Sequence, residues 1–139
     1  MANYEETSRT NYFRVTNEER YQELFNHLVS EDKIYDFTKI DKNGIAWHAF
    51  GSFGYIRYKT DEDDCWMDRD IFFNELQKIL PDDEAFIFMS AGHEKLAYVN
   101  GFSVIITNKD IQYVDIIGDA IKKARIMLNN PEWTTDEEY

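Results

Sequence analysis

The acidic side chains of this 139-residue chain are its most concentrated chemical feature. The chain has 27 acids, 15 bases and a formal net charge of −12. Three stretches, residues 61–70, 82–84 and 131–139, account for the whole excess, because the other acids and bases balance. Carboxylates at this density repel phosphates and attract basic surfaces. The sequence therefore argues against direct nucleic-acid binding and predicts a basic protein partner, contacted by Asp61, Glu62, Asp63, Asp64, Asp68, Asp82, Asp83 and Glu84.

These acids do not have the spacing of a metal site. The four adjacent carboxylates at 61–64 cannot all converge on one ion, and the run lacks the spacing and glycine of an EF-hand loop. The histidines His27, His48 and His93 are far apart in the sequence, and Cys65 is the only cysteine, so zinc ligands are not clustered. We expect no metal and no cofactor.

Groups that could catalyse a reaction are sparse. Cys65 lies beside Asp63 and Asp64, whose negative charges disfavour the thiolate that a nucleophilic cysteine requires. The chain also lacks a phosphate-binding glycine loop and a GxSxG motif. We therefore expect no catalytic residue. The alternative from another class is an enzyme or small-ligand protein with a pocket around Trp47 and His48.

Cysteine usage and hydropathy bear on the compartment. A single cysteine allows no internal disulfide, which is typical of reducing compartments. No stretch approaches the ~18 apolar residues of a membrane span, and no apolar run follows the polar N-terminus. We expect a cytoplasmic protein without membrane contact.

Apolar periodicity predicts three amphipathic helices, over residues 17–29, 68–80 and 115–128. Thr16 and Glu19 form a capping-box pattern at the first helix, and Pro81 ends the second. The third helix carries an apolar stripe suited to covering a sheet, formed by Ile116, Ile117, Ala120, Ile121, Ala124, Met127 and Leu128.

Aromatic and β-branched runs predict strands between these helices, over residues 10–15, 34–40, 45–50, 55–59, 85–90, 96–99, 102–107 and 111–114. Residues 51–54 are predicted as a turn, and Asn100-Gly101 as a hairpin turn. Connections this short make neighbouring strands antiparallel.

These elements predict an α+β fold in one domain, residues 1–139. An antiparallel sheet carries the three amphipathic helices mainly on one face, in a ferredoxin-like arrangement or a variant of it. Residues 1–8 and 131–139 are polar and aperiodic, so we expect flexible tails there.

Short stretches resemble small acidic proteins that mobile elements of Gram-positive bacteria carry. The first is NYFRV at 11–15, before a capped acidic helix, and the second is AGHEKL at 91–96. Residues 123–125, 127–128 and 133–139 resemble the C-terminal half of some of these proteins. The resemblance implies a relation to ferredoxin-like phage and plasmid proteins, and it supplies no catalytic residues. It also implies an anti-defence role, such as anti-restriction or anti-CRISPR activity.

The leading hypothesis is a non-enzymatic protein-binding accessory protein of a mobile element. In its sharper version the acids imitate DNA phosphates and inhibit a host nucleic-acid-handling or defence protein. The pocket around Trp47 and His48 is one alternative. The other alternative is a homodimer that pairs sheet faces or edges through surplus aromatic residues such as Phe50, Phe53 and Tyr55.

Overall fold

The computed structural model describes residues 5–60, 66–67, 69–94 and 98–134. In chain order the elements of these residues are β1 (Glu5–Thr10), α1 (Glu18–Asn26), β2 (Leu28–Ser30), β3 (Tyr35–Asp36), β4 (Lys39–Ile40), β5 (Ala46–Trp47), β6 (Phe50–Ser52), β7 (Ile56–Lys59), β8 (Trp66–Met67), α2 (Asp70–Gln77), β9 (Phe86–Glu94), β10 (Tyr98–Ile106), β11 (Ile111–Asp115) and α3 (Ile116–Met127). The predicted α+β class is confirmed.

The main sheet has six strands in the order β11-β10-β9-β1-β6-β3, and every neighbouring pair is antiparallel. Two smaller sheets have the orders β2-β7-β8 and β4-β5. The antiparallel sheet agrees with the prediction, whereas a ferredoxin-like arrangement is not confirmed.

Strand β1 lies in the middle of the main sheet, although the sequence predicted a flexible tail over residues 1–8. The prediction was wrong for residues 5–8, which pair with β9, and Ser8 also pairs with Ser52 of β6. The inward side chains of β1 are Glu6, Ser8 and Thr10, all buried. Because these side chains are polar, β1 lacks the apolar alternation that reveals a strand in a sequence.

The predicted hairpin turn at Asn100-Gly101 was also wrong. Both residues lie inside the continuous strand β10, where Gly101 pairs with Ala91 of β9. A Cβ atom on Gly101 would overlap Cδ1 of Ile116. The glycine thus provides room for Ile116, which is a packing role that the local turn signal does not reveal.

Most of the other predicted strands contain strand residues, but their boundaries differ from the prediction. The predicted strands at 34–40 and 45–50 are each broken into two-residue or three-residue pieces, and the predicted turn at 51–54 begins inside β6. The predicted strand at 10–15 mostly lies outside β1, and Phe13 makes only an isolated antiparallel bridge to His48.

Helices α1 and α2 begin differently from the prediction. The cap of α1 is Asn17, whose side chain accepts a hydrogen bond from the backbone N–H of Arg20. Thr16 instead donates to the carbonyl oxygen of Ile79, which ties the start of α1 to the end of α2. Arg69 precedes α2 without a side-chain cap hydrogen bond.

The core consists largely of phenylalanine rings between one face of the main sheet and helices α1 and α2. Phe86 of β9 is fully buried, and its ring lies 4.9 Å from the ring of Phe13 and 6.0 Å from that of Phe73. Leu24 of α1 and Leu76 of α2 are fully buried in the same cluster. These two helices therefore cover one face of the sheet, as predicted, whereas α3 has no buried residue.

Candidate functional site

The predicted acidic surface falls partly outside the described residues. Asp61, Glu62, Asp63, Asp64 and Asp68 all lie there, so their arrangement stays a prediction.

The described part of that surface is Asp82, Asp83 and Glu84, in the turn after α2, and each carboxylate has a protein partner. Glu84 accepts hydrogen bonds from the backbone N–H and from Nε of Arg14, at 2.6 and 3.3 Å. Asp83 lies 3.0 Å from Nη2 of the same arginine, and Asp82 accepts from the side-chain amide of Asn108. The hydrogen bond that the Arg14 side chain donates to Glu84 is the main cause of the raised pKa of Arg14. Asp83 remains 76 % exposed, and Arg14 offsets one of the three negative charges of this turn.

His48 is a buried histidine whose two ring nitrogens both have protein partners. Its Nε2 lies 2.8 Å from Oε1 of Glu18, and its Nδ1 lies 3.2 Å from Oγ1 of Thr38. The ring is tilted against that of Tyr21 at a centroid distance of 4.1 Å. A carboxylate is thus present, but the imidazole is only 6 % exposed. The geometry is that of a packed core side chain.

Trp47 and Tyr21 are aromatic neighbours of His48, and their polar groups also serve the packing of the protein. Trp47 Nε1 donates to Oδ2 of Asp41 at 3.0 Å. This bond, followed by the backbone N–H of Ile45, lowers the pKa of Asp41. Burial is the main cause that raises the pKa of Tyr21, so its hydroxyl stays protonated. That hydroxyl has no hydrogen-bond partner within the described ranges.

The remaining histidines also contact protein groups. Nδ1 of His27 lies 2.7 Å from the carbonyl oxygen of Lys59, and Nε2 of His93 lies 3.3 Å from a carboxylate oxygen of Glu5. Among residues 5–60, 66–67, 69–94 and 98–134, no group of three His, Cys, Asp or Glu side chains could hold a metal ion. Cys65 lies outside these ranges.

Buried polar side chains on the inner side of the main sheet, Glu6, Ser90 and Arg69, escaped the sequence analysis. Glu6 is 7 % exposed, and one of its oxygens accepts from Oγ of Ser90 at 2.8 Å. The buried guanidinium of Arg69 lies 4.5 Å from the ring of Tyr55 and 4.9 Å from that of Phe88. Glu6 Oε2 and Arg69 Nη1 lack hydrogen-bond partners in the described part of the chain, and neither atom is accessible to solvent. These side chains therefore belong to the interior, and the two atoms offer no open binding site.

The face of the main sheet that points away from α1 and α2 is termed the outer face. Side chains alternate along a strand and antiparallel partners share a face. Arg9 pairs with Met89, and Thr7 pairs with Ala91, so these four share the outer face. They line a groove of 380 Å³, termed the outer-face groove, defined by Thr7, Arg9, Met89, Ala91, Val114 and Ile116. Met89 and Val114 are 41 and 42 % exposed, so no described element covers this surface.

A second groove of 250 Å³ lies on the other side of Arg9, beside Phe37 and Phe53. The Arg9 guanidinium lies 4.5 Å from the centre of the Phe37 ring. Phe53 is 70 % exposed, whereas Phe50 is 1 % exposed in the core. The homodimer hypothesis therefore loses Phe50 as a contact residue and keeps Phe53.

Helix α3 extends the apolar surface beyond the outer-face groove. Ile116 is 60 % exposed, Met127 85 % and Leu128 55 %. The apolar stripe that the sequence identified is present, but only Ile117, Ile121 and Ala124 of it are half-buried, and its other residues are exposed. The main contacts of α3 are with β10 and β11.

Comparisons with protein-family models, with curated proteins and with solved structures find no match to this chain. No helix in the described ranges is long and apolar enough to cross a membrane.

Proposed function

We propose that this chain is a non-enzymatic protein-binding domain that binds its partner through α3 and the outer-face groove. The observation that carries the proposal is the exposure of α3, an amphipathic helix of 12 residues without a buried residue. Burial of one isoleucine, leucine or methionine side chain stabilises by about 1.5–3 kcal/mol. Burial of Ile116, Met127 and Leu128 against a partner would therefore stabilise the complex.

The length of α3 gives independent support. Isolated helices shorter than about 12–15 residues are marginal in water, and most helices in proteins are stabilised by packing of their apolar face. A partner that covers this face would stabilise the helix and bury its side chains at once. Large apolar patches on monomeric proteins are often interaction sites.

Site-specific photo-crosslinking tests the proposal. The crosslinking residue p-benzoylphenylalanine replaces Met127 of the full chain, and the matched control carries it at Ile126. Both positions are highly exposed, at 85 and 79 %, but they point to different sides of α3. We expect protein adducts from position 127 and few from position 126. Equal yields at the two positions, or no adduct at either, would contradict the proposal.

The acidic inhibitor of a host defence protein is a second candidate. Its support is the net charge of −12 and the exposure of Asp82 and Asp83. The contact of Asp83 with Arg14 weakens the support from that turn. The test compares partner capture by the wild type with capture by a variant in which Asp61, Glu62, Asp63 and Asp64 are changed to Asn or Gln. A partner that both proteins retain equally would rule out a role for these four acids.

A further inference from the structure

A glycine inside the main sheet forms the floor of the second groove. Gly51 pairs with Arg9 of β1 on one side and with Tyr35 of β3 on the other. Directly opposite residues of neighbouring strands point to the same face, so Arg9 and Tyr35 flank a position that has no side chain. The groove, termed the Arg9 groove, is defined by Arg9, Tyr35, Phe37, Gly51 and Phe53. A glycine within a strand often marks a place where a ligand comes close to the backbone.

Aromatic rings form the walls of the Arg9 groove. Phe37 is 38 % exposed and Phe53 is 70 % exposed. The rings of Tyr35 and Phe53 contact each other edge to face, at a centroid distance of 5.7 Å. The groove volume of 250 Å³ lies just below the range of about 300–1,000 Å³ that is typical of small-molecule sites. A ligand of about one ring system fits this space, and aromatic side chains are surfaces on which planar rings stack.

Arg9 is the only charged residue, among those the structure describes, that lines this groove. Its guanidinium lies 4.5 Å from the centre of the Phe37 ring and 5.9 Å from that of the Tyr12 ring. Within the described ranges, this guanidinium forms no ion pair and no hydrogen bond, although the chain has 27 acids. An exposed arginine that rests against two rings therefore presents N–H donors to an anion in the groove.

Lys39 adds a second cation beside Arg9. Its Nζ lies 4.3 Å from the centre of the Tyr12 ring, which the Arg9 guanidinium also contacts. Lys39 is exposed and has no ion pair with any acid that the structure describes. Two such cations favour an anion with about two negative charges. A phosphate monoester meets this condition, because it carries about −1.5 to −2 charges at pH 7 and has three acceptor oxygens.

We propose that the Arg9 groove binds a nucleoside monophosphate. Arg9 and Lys39 hold the phosphate, and the base stacks on Phe37 and Phe53. A guanidinium binds phosphate oxygens through two parallel N–H groups, and stacking on aromatic side chains accepts any base. The occupant is a mononucleotide and not a nucleic-acid strand, because the net charge of −12 repels a chain of phosphates. This ligand site goes beyond the proposed protein binding and does not depend on α3.

NMR titration of the backbone amides of the full chain measures this binding. The probes are the monophosphates of adenosine, guanosine, cytidine and uridine, added at low salt. We expect at least one of them to bind with a dissociation constant below about 1 mM. The amide resonances of Gly51 and Ser52, which line the groove, should shift with the same binding curve. The nucleoside without phosphate, and inorganic phosphate without a ring, should each bind at least about tenfold more weakly.

A matched pair of variants tests the role of Arg9. Arg9→Gln removes the cation from the groove, and we expect the dissociation constant to rise at least about tenfold. Arg57→Gln makes the same charge change at an exposed arginine of β7 that lines neither the Arg9 groove nor the outer-face groove, and we expect less than about a threefold effect. Phe37→Ala removes a stacking ring and should raise the dissociation constant at least about fivefold. All three side chains are exposed, so far-UV circular dichroism should match that of the wild type.

Four results would overturn the nucleotide site. The first is no binding of any of the four monophosphates, and the second is an equal loss of affinity in the Arg9→Gln and Arg57→Gln proteins. The third is inorganic phosphate that binds as tightly as the nucleotides, which would remove the base from the site. The fourth is a short single-stranded oligonucleotide that binds more tightly than any monophosphate, which would replace the mononucleotide by a nucleic-acid strand.

Discussion

Replacement of Gly51 by alanine tests where β6 lies in the main sheet. Gly51 is buried and pairs with Arg9 of β1 on one side and Tyr35 of β3 on the other. A Cβ atom there would lie 2.7 Å from the backbone oxygen of Ser8 and 3.5 Å from Cα of Arg9. The nearest atom belongs to the backbone, which cannot rotate away as the end of a side chain can. The two strands must separate to admit the methyl group.

The sign of the change in stability distinguishes this strand from the turn that the sequence predicts. At an open turn position, Gly→Ala stabilises a protein by about 0.4–1 kcal/mol, because alanine restricts the unfolded chain. Overpacking instead costs about 1–3 kcal/mol. We expect Gly51→Ala to lower the free energy of unfolding by about 1–3 kcal/mol, out of a total of about 5–15 kcal/mol.

Urea unfolding followed by tryptophan fluorescence and circular dichroism measures this free energy. The control is Gly118→Ala in α3, where the new Cβ would approach Oδ2 of Asp115, the end of a flexible side chain, at 2.9 Å. Alanine inside a helix is favoured over glycine by about 0.5–1 kcal/mol, so the control should not lose stability. A Gly51→Ala protein as stable as the wild type would refute the placement of β6 between β1 and β3.

The remaining predictions concern the core, the buried histidine and the turn at Asp41. Phe86→Ala should lower the free energy of unfolding by about 3–5 kcal/mol, because it removes the ring at the centre of the aromatic core. Calorimetry measures this loss. His48→Ala should lower the free energy of unfolding by roughly 2–3 kcal/mol through lost packing. Glu18→Gln should lower it by under about 1 kcal/mol, since Glu18 is 57 % exposed. Equal losses of stability in urea unfolding would contradict a packing role for His48. The carboxyl carbon of Asp41 should titrate below pH 3.8 by NMR, and Trp47→Phe should raise that pKa. Because the folded-state pKa is lowered, the stabilisation from Asp41 is fully present above pH 3.8 and is lost as the pH falls through the lower folded-state value.

Local patterns predicted the helices well and some turns badly. The period of apolar side chains is set within a few helical turns, so the existence of α1, α2 and α3 followed from the sequence. Asn100-Gly101 carries an equally local turn signal, but its glycine serves a contact with Ile116 that local patterns do not record. Its role depended on a neighbouring element, which is the usual reason for such an error.

The predicted acidic surface also depends on contacts between residues that are distant in the sequence. The sequence placed Asp83 and Glu84 next to a helix end and assigned them to a partner. It gave no sign that Arg14, about 70 positions away, would contact both. Charge composition is a property of the sequence, but charge pairing over such separations depends on how distant elements pack.

The sequence by itself determined that this chain has amphipathic helices, an aromatic core and a strong acidic excess, because composition and periodicity suffice for these properties. Only the tertiary structure decided that the polar strand β1 lies in the centre of the main sheet, since its place depends on pairing with β6 and β9. It also decided that four of the seven residues in the apolar stripe of α3 are left exposed, namely Ile116, Ala120, Met127 and Leu128. The physical reason is the direct passage from Asp115 of β11 into Ile116 of α3, which gives the helix no loop with which to turn back over the sheet.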